Sequence, residues 1–488
     1  MKIAYVSSEV FPFAKTGGLA DVAGSLPKEI SQLGHDIKVF MPKYYPVDEK
    51  RFSLEYQSWM NPIPIRVSGI TRNVFIQKSN IPESKVEIYF VDFPAYFHRE
   101  NIYTNDHDEA DRFILFSKAV LEIIQRLQWK PDVVHCNDWQ TGLIPLYIKD
   151  NYNWDKIFHN VATLFTIHNI GYQGKFGKET LDKAEIKHEY FYNFGEVKHE
   201  GNLNFLKAGI SFADVINTVS ETYAKELLTP EYSSGLDYVL DYRSHDLHGV
   251  LNGIDYNIWN PRSDKHLPYH YSPDDLSGKI MNKKFLLDKF SLPYNPNIPL
   301  IGIISRLVIQ KGFDLIARSL NYLVNLNAQW IILGSGEDYY EDMFETLANY
   351  RSNKVACYIG YNNELSHLIE AGADIFLMPS HYEPCGLNQI YSLKYGAVPI
   401  VRKTGGLADT VQDWDEFSGY GYNIGNGFSF HDYNGFALTN AVERAIKYFH
   451  NKPVWETIIK NGMARDYSWQ KSAEKYLDLY NKAISKIN

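Results

Sequence analysis

Polar and charged residues follow many of the short apolar runs that predict β-strands in this sequence. They are Ser7, Ser8, Glu9 and Lys15; His135, Asn137 and Asp138; His168 and Asn169; Ser220 and Glu221; Ser305, Arg306 and Lys311; Glu383; and Arg402 and Lys403. In open α/β sheets, ligands bind outside the carboxyl ends of the strands, so these residues are candidates for a shared site. The cations suit a diphosphate, because arginine offers a planar fork and lysine a compact charge. A carboxylate such as Glu383 instead suits sugar hydroxyls or the orientation of a cation. Together these residue types indicate a nucleotide sugar.

The heptapeptide KTGGLAD occurs twice, at residues 15–21 and 403–409. The first copy follows the first predicted strand of its domain and the second follows a late strand, which excludes a duplication of domains in register. Each copy is predicted to begin a helix, where glycines bare backbone N–H groups and the helix dipole favours an anion. We therefore expect both copies to face one anionic ligand, with two ordinary glycine-rich turns as the alternative.

Short runs rich in valine and isoleucine alternate with helical patterns, which predicts an α/β fold with doubly wound parallel sheets. The strands expected in the first half are KIAYVS, DIKVFMP, DVVHC, ATLFTIHN and DVINTVS, and those in the second half are LIGIISR, QWIILGS, VACYIG, DIFLMPS and VPIVR. Residues 53–92 alternate as antiparallel hairpins do, so we expect a β-hairpin insert there.

The length of 488 residues predicts two domains, since single cores stop growing beyond about 250–300 residues. We expect an N-terminal Rossmann-like domain at 1–255 and a C-terminal one at 256–460. Residues 461–488 are helical with no strand after them, and we expect them to pack back on the N-terminal domain.

The composition argues against several classes of protein. The net charge of −9 disfavours nucleic acid as a partner. No apolar run approaches the roughly 18 residues that a membrane-spanning helix requires, so we expect no membrane partner. The cysteines Cys136, Cys357 and Cys385 form no C-x-x-C pair, which predicts a reducing compartment, the cytoplasm, or a plastid if a transit peptide has been removed.

The sequence contains partial motifs of two other kinds of site, a metal site and a dinucleotide site. Asp106 and Asp108, and likewise Asp413 and Asp415, have the D-x-D spacing of some metal sites. The first pair lies directly before a helical run, where acidic residues favour a helix N-terminus, so we expect no metal. The segment LGSGEDY at 333–339 is similar to the dinucleotide fingerprint but has Tyr339 where the third glycine belongs, which argues against NAD.

Longer motifs point to one family. They are SSEVFPFAKTGGLADV, HCNDWQTGL, TIHNIGYQG, NTVSETYAKE, VLNGID, SRLVIQKGFDL and EPCGLNQIYSLKYGAVPIVRKTGGLADTV. On these motifs the chain resembles bacterial glycogen synthases and plant starch synthases over essentially its whole length. The resemblance implies the GT-B fold, in which two Rossmann-like domains face an interdomain cleft, with the acceptor on the N-terminal side and the donor on the C-terminal side. It implies retaining transfer of glucose from ADP-glucose to the non-reducing 4-hydroxyl of an α-1,4-glucan (glycogen, starch or a maltooligosaccharide), with no metal or other cofactor.

The resemblance also assigns roles by motif position. Arg306 and Lys311 would hold the diphosphate, Glu383 would bond sugar hydroxyls, and His168 and Asn252 would contact the transferred glucose. His168, Arg306, Lys311 and Glu383 form the expected catalytic set. The other expected donor-binding residues are Lys15, Gly17, Gly18, Tyr361 (which would stack on adenine), Cys385, Gly386, Leu387, Thr404 and Gly405, and the expected acceptor-binding residues are Asp21 and Asp138.

The sequence departs from the family pattern at two places and leaves several alternatives open. His381 and Tyr382 stand where Arg-Phe is usual, and Cys136 and Asn137 stand where Ala-His is common. Tyr361 would stack on uracil as well as on adenine, so UDP-glucose is an alternative donor. Retention by front-face attack and by double displacement are both open, although the resemblance favours the first. A catalytically silent glucan-binding protein is the alternative from another class.

Overall fold

Buried apolar strands alternating with helices form two large sheets, one mainly and one wholly parallel, in the computed structural model, which describes residues 1–487. A third sheet is small and antiparallel. The chain divides into two units. Unit 1 comprises residues 1–219 and 224–253 together with the residues from Trp469 onward, and unit 2 comprises residues 220–223 and 254–468.

Residues 1–253 contain the strands β1 (Lys2–Val6), β2 (Asp36–Pro42), β3 (Glu55–Tyr56), β4 (Ile63–Val67), β5 (Ile70–Asn80), β6 (Glu87–Asp92), β7 (Val133–Asn137), β8 (Ala162–Ile167), β9 (Lys175–Phe176), β10 (Lys198–His199), β11 (Asn202–Asn204), β12 (Val215–Thr218) and β13 (Leu247–Gly249). The helices are α1 (Gly18–Gln32), α2 (Pro94–Phe97), α3 (Glu109–Arg126), α4 (Ile144–Lys149), α5 (Thr180–Ala184), α6 (Phe205–Phe212), α7 (Glu221–Glu226) and α8 (Asp237–Tyr242). Short 3₁₀ turns lie at Trp139–Thr141, His188–Tyr190 and Ser244–Asp246.

Residues 254–487 continue with α9 (Ser277–Lys289), β14 (Leu300–Ile304), α10 (Phe313–Leu323), β15 (Gln329–Gly334), α11 (Asp338–Tyr350), β16 (Val355–Ile359), α12 (Asn363–Gly372), β17 (Ile375–Met378), α13 (Asn388–Tyr395), β18 (Val398–Arg402), α14 (Gly405–Thr410), α15 (Trp414–Gly419), β19 (Phe428–Phe430), α16 (Gly435–Phe449), α17 (Lys452–Met463) and α18 (Trp469–Ile487). A further 3₁₀ turn, Ile309–Lys311, lies directly before α10.

The main sheet of unit 1 has the strand order β13-β12-β8-β7-β1-β2-β6-β5-β3. The strands from β13 to β6 run parallel, and β1, β7 and β8 are buried throughout or nearly so, as expected for strands covered by helices on both faces. The chain winds outward in opposite directions from β1, so the switch point of this sheet lies between β1 and β7.

The sheet of unit 2 has the order β16-β15-β14-β17-β18-β19, and every pairing in it is parallel. This is the doubly wound order in which the chain starts in the middle and builds each half in turn, so the switch point lies between β14 and β17. The residues that follow these two strands include Arg306, Lys311 and Glu383.

The predicted β-hairpin insert at 53–92 is wrong in its second boundary. Strand β6 pairs in parallel with β2 and therefore belongs to the main sheet. Strand β5 pairs antiparallel with β6, and β3 and β4 both pair antiparallel with β5. The antiparallel addition therefore spans β3 to β5 and extends the sheet at the β6 edge.

The unit boundaries differ from the predicted ones by a few residues. Unit 2 begins at Ile254 rather than at 256, and residues 461–468, predicted to accompany the C-terminal helix, belong to unit 2. Helix α18 belongs to unit 1, where Tyr476 and Tyr480 are fully buried. Within residues 1–487, the structure contains no helix long and apolar enough to cross a membrane.

Candidate active site

The carboxyl end of β1 leads to a buried carboxylate that organises the first KTGGLAD copy. Glu9 is 3% exposed and accepts hydrogen bonds from Thr16 Oγ1 at 2.6 Å, from the Gly17 N–H at 3.2 Å and from Tyr103 Oη at 2.6 Å. The Thr16 N–H also donates to it. Two of the backbone N–H groups expected to receive a ligand anion are therefore already bonded to a carboxylate of the protein. The role of Gly17 toward a diphosphate stays a prediction.

Lys15 and Asp21, the ends of the same heptapeptide, form an ion pair. Lys15 Nζ lies 2.7 Å from Asp21 Oδ1, with side chains 43% and 28% exposed. Burial raises the pKa of the Asp21 carboxyl in spite of the neighbouring lysine, and Glu9 adds to that shift. The 43% exposure of the Lys15 side chain leaves its ammonium group accessible to an incoming anion.

Strands β7 and β8 place Asn137, Asp138 and His168 side by side. Asp138, with φ of 56°, accepts the His168 N–H through Oδ1 at 2.7 Å. Asn137 Oδ1 lies 2.9 Å from His168 Nε2. Burial raises the pKa of Asp138 to about 7 and lowers the pKa of His168 to about 3. The His168 imidazole is therefore neutral over the physiological range, and Asp138 titrates within it.

A buried polar chain runs beneath these residues to helix α18. His135 on β7 bonds Tyr480 Oη through Nδ1 at 2.9 Å and Thr166 Oγ1 through Nε2 at 2.8 Å. Burial lowers the pKa of His135 well below its usual range. The chain satisfies polar groups that would otherwise be costly to bury, and it makes α18 part of the support for the strand ends in unit 1.

In unit 2, a lysine and a glutamate meet at the switch point. Lys311 Nζ lies 2.6 Å from Glu383 Oε2, and the two side chains are 18% and 8% exposed. Ser380 Oγ donates to the same carboxylate oxygen at 3.0 Å. Gly312 has φ of 82°, and a Cβ there would lie 2.1 Å from the carbonyl oxygen of Pro379. Glycine at 312 thus permits the close approach of the loops that follow β14 and β17.

The remaining predicted polar residues lie in different environments. Arg306 is exposed after β14, and no salt bridge within residues 1–487 engages it. Tyr361, after β16, is 83% exposed. Asn252 in unit 1 is buried, and its Oδ1 accepts no hydrogen bond from any residue of the described chain. Arg402 directs its guanidinium to the protein, where it donates to the backbone carbonyls of His381 and His431.

The EPCGL segment and the second KTGGLAD copy pack against each other. Gly405 has φ of 44°, and a Cβ there would lie 1.9 Å from the Glu383 carbonyl oxygen. The Gly406 N–H donates to the carbonyls of Glu383 and Pro384 at 3.2 and 3.1 Å. Cys385 and Thr404 are buried in this contact region. The glycines of the second copy therefore serve close packing behind Glu383, and the Gly406 N–H is bonded within the protein. That both copies face one anionic ligand stays a prediction.

Gly386 and Leu387 directly precede α13, and Leu387 is its N-cap residue. Gly386 has φ of 70°, a left-handed conformation that suits glycine. Gln389 donates to the carbonyls of Cys385 and Gly386, both at 3.0 Å. This glutamine fixes the turn that leads into the helix.

Both D-x-D pairs neutralise arginines. Asp106 and Asp108 bond Arg99, and Asp413 and Asp415 bond Arg444. Among residues 1–487, no group of three or more His, Cys, Asp and Glu side chains is arranged to hold a metal ion. In LGSGEDY, Cβ atoms at Gly334 and Gly336 would meet the Ser305 and Leu307 carbonyls at 1.9 and 2.3 Å, so these glycines permit packing between neighbouring strand ends.

Sequence reasoning missed three contributors to these sites. Tyr103 bonds Glu9, Tyr5 bonds Asn137, and Tyr480 bonds His135. Each tyrosine is distant in sequence from its partner, and tyrosines are abundant in this chain. Their positions in the sequence carried no signal that would separate them from core tyrosines.

Two α/β units with doubly wound sheets, and with cations and carboxylates after the central strands, are features of the GT-B class of glycosyltransferases, and the comparisons place the chain in that class. Two family models match the chain: the starch synthase catalytic domain at residues 2–242, and glycosyl transferases group 1 at residues 286–462.

Relatives that match over the full length identify the family within this class of glycosyltransferases. The chain is 45% identical to a glycogen synthase of Desulforudis audaxviator over 100% of this chain and 97% of that protein, and 45% identical to a glycogen synthase of Thermosipho melanesiensis over 100% of both. Its structure is similar to the catalytic domain of starch synthase IV from Arabidopsis thaliana, solved with ADP and acarbose, with a TM-score of 0.90, 32% identity and 99% coverage of each chain. The chain therefore belongs to the glycogen and starch synthase family and is a glucosyltransferase.

Proposed function

We propose that this protein transfers glucose from ADP-glucose to the non-reducing 4-hydroxyl of an α-1,4-glucan, with retention of configuration and without a metal ion. The observation that carries the proposal is the Lys311–Glu383 pair at the switch point of unit 2, where doubly wound sheets bind their ligands. The similar starch synthase IV domain binds ADP and acarbose, which supports an adenine nucleotide as the donor.

The leaving diphosphate sets the main catalytic demand. Cleavage of the bond between glucose C1 and phosphate places negative charge on the diphosphate and positive character on the sugar. Fixed cations stabilise this charge more in the transition state than in the ground state, and such preorganised electrostatics is usually the largest catalytic contribution. Lys311 and the exposed Arg306 follow the same strand, β14, and take this role.

Glu383 serves two purposes in the proposed reaction. Its carboxylate holds Lys311 in place through Oε2 and leaves acceptor capacity for hydroxyl groups of the transferred glucose. Cys385, Gly386, Leu387, Thr404 and Gly405 set the backbone around it, and Tyr361 provides an exposed ring for the adenine base.

Unit 1 supplies the remaining groups. In the proposed reaction, Lys15 leaves its ion pair with Asp21 and binds the diphosphate. Gly18 lies close by in sequence, at the start of α1, and Gly17 is bonded to Glu9. His168 and Asn252 contact the glucose, and Asp21 and Asp138 act on the acceptor side. For the retaining step we propose front-face attack, in which a phosphate oxygen takes the acceptor proton as the bond to C1 breaks. Double displacement is the alternative outcome of the test.

A transfer assay tests the proposal. Purified protein is incubated with glycogen and labelled ADP-glucose or UDP-glucose, each with and without a chelator, and the product is digested with a glucosidase specific for α-1,4 linkages. We expect incorporation mainly from ADP-glucose, unaffected by chelator, and release of the label by the glucosidase. No incorporation from either donor would refute the enzyme activity, preference for UDP-glucose would refute the donor, and loss with chelator would refute the metal-free reaction. A trapped covalent glucosyl-enzyme would favour double displacement.

A further inference from the structure

Asn137 ends β7 directly beside His168 and is fully buried. Its amide makes three hydrogen bonds. Nδ2 donates to the Val6 carbonyl at 2.9 Å, and Oδ1 lies 3.3 Å from Tyr5 Oη and 2.9 Å from His168 Nε2.

These partners fix which end of the amide faces the imidazole. The Val6 carbonyl oxygen only accepts hydrogen bonds, so the NH₂ end of Asn137 must face it. The oxygen end then faces His168, and a carbonyl oxygen cannot donate. The proton of the 2.9 Å contact therefore resides on His168 Nε2, and in a neutral imidazole the other nitrogen, Nδ1, carries a lone pair.

We propose that Asn137 is a positioning residue that holds His168 in the Nε2–H tautomer, so that Nδ1 accepts a hydrogen bond from a hydroxyl of the transferred glucose. The inference rests on the proposed function for the identity of the sugar, but the tautomer itself is a property of the protein alone.

Two further observations support it. The low pKa of His168, about 3, keeps the ring neutral, and a protonated ring would have no acceptor. The His168 N–H is held by Asp138 Oδ1 at 2.7 Å, so both the backbone and the ring of His168 are fixed from neighbouring residues of one strand end. His168 thus binds a sugar hydroxyl that donates a hydrogen bond to it, and it does not act as an acid.

The tautomer is tested by NMR on ¹⁵N-histidine-labelled, full-length protein without substrate, with the His168 signals identified from their absence in His168→Gln. We expect Nδ1 to show the shift of an unprotonated ring nitrogen and Nε2 that of a protonated one. The reverse assignment would overturn the proposal. Asn137→Ala, which removes the oxygen that faces Nε2, is expected to lose this pattern. If Asn137→Ala does not fold, the protonation of Nδ1 and Nε2 measured in the unmodified protein tests the proposed tautomer by itself.

The matched control is Asn204→Ala. Asn204 is equally buried but caps α6 by accepting the Lys207 N–H, so its loss should lower stability without changing the His168 signals. Loss of the Asn137 hydrogen bond should lower kcat/KM about tenfold, mainly through kcat. If Asn204→Ala altered the His168 signals as much as Asn137→Ala does, the specific role of Asn137 would be refuted.

The direction of the sugar contact is tested with monodeoxy and matching monodeoxyfluoro forms of the nucleotide glucose. A C–F group accepts weakly and does not donate. Each loss is compared between wild type and His168→Ala, so that the inductive effect of fluorine on the sugar, which is common to both enzymes, cancels. If Nδ1 accepts from a hydroxyl, His168→Ala reduces the deoxy loss and the fluoro loss by the same factor. If His168→Ala reduces the deoxy loss but leaves the fluoro loss unchanged, the histidine donates and the proposal fails. An inactive wild-type enzyme would refute the proposed function instead, and the NMR result would stand independently.

Discussion

Lys311 Nζ and Glu383 Oε2 lie 2.6 Å apart in a nearly buried pair at the switch point of unit 2. The lysine arrives from the 3₁₀ turn after β14 and the glutamate from the loop after β17, strands that are neighbours in the sheet. The pair therefore depends on two loops that only the folded sheet brings together, and it places a cation and an acceptor of hydroxyl hydrogen bonds at one point.

Removal of the Lys311 charge should impair the chemical step. Lys311→Ala removes a group that stabilises the leaving diphosphate, so kcat should fall about a hundred- to a thousand-fold. Steady-state kinetics with the nucleotide glucose measures this, and circular dichroism checks the fold. Lys460→Ala, which breaks an exposed ion pair to Glu456 at 4.0 Å, is the matched control and should leave kcat unchanged. Equal kinetics of the two variants would remove Lys311 from the mechanism.

The two KTGGLAD copies should differ in their tolerance of an added methyl group. Gly405→Ala would place a Cβ 1.9 Å from the Glu383 carbonyl oxygen at φ of 44°, whereas a Cβ at Gly17 has no atom within 4 Å. We expect Gly405→Ala to lower stability by about 1–3 kcal/mol and to reduce kcat by displacing Glu383. Gly17→Ala should keep the wild-type melting temperature. Calorimetry on both variants provides the comparison, and similar melting temperatures would contradict the packing difference.

Asp138 should make stability depend on pH. Its pKa is raised to about 7 by burial, against about 3.9 in the unfolded chain. Between these values the unfolded state binds fewer protons than the folded state, so the contribution of Asp138 to stability falls as pH rises through this window and is constant above it. Asp138→Asn removes the ionisation and keeps an oxygen for the His168 N–H. The melting temperature of the variant should exceed that of wild type by more at about pH 8 than at about pH 5. The variant should also lose transfer activity. A difference independent of pH would exclude this origin.

Glu9 should be required for stability of the first glycine-rich loop. Glu9→Gln keeps the size of the side chain but replaces a carboxylate, which accepts from two hydroxyls and two backbone N–H groups, by a neutral amide. We expect a loss of about 1–3 kcal/mol, because hydrogen bonds to a charged acceptor are stronger than those to a neutral one. Glu200→Gln, at an exposed pair with Lys175, is the control and should melt as wild type does. Thermal melts of the two variants decide the question, and unchanged stability of Glu9→Gln would refute the requirement.

Much of the sheet architecture follows from the sequence because buried parallel strands read as continuous apolar runs. Strand β6 shows why one boundary failed. Its segment EIYFVD has four consecutive buried residues, which is the pattern of a covered parallel strand. Because the preceding segment alternates between apolar and polar residues, the prediction extended the hairpins through this strand.

The contacts of the repeated heptapeptide lay beyond sequence reasoning. Asp21 bonds Lys15, but its counterpart Asp409 accepts the Thr222 N–H and Oγ1. Lys403, the counterpart of Lys15, bonds Glu416 at 2.8 Å. Identical residues acquire different partners because the surrounding strands and loops supply them, and no local pattern encodes those neighbours.

The place of α18 has a consequence for biogenesis. This helix is encoded after the whole of unit 2, yet its Tyr480 completes the buried polar chain of unit 1. During translation, the surface of unit 1 that α18 covers therefore stays uncovered until the residues of unit 2 have been synthesised.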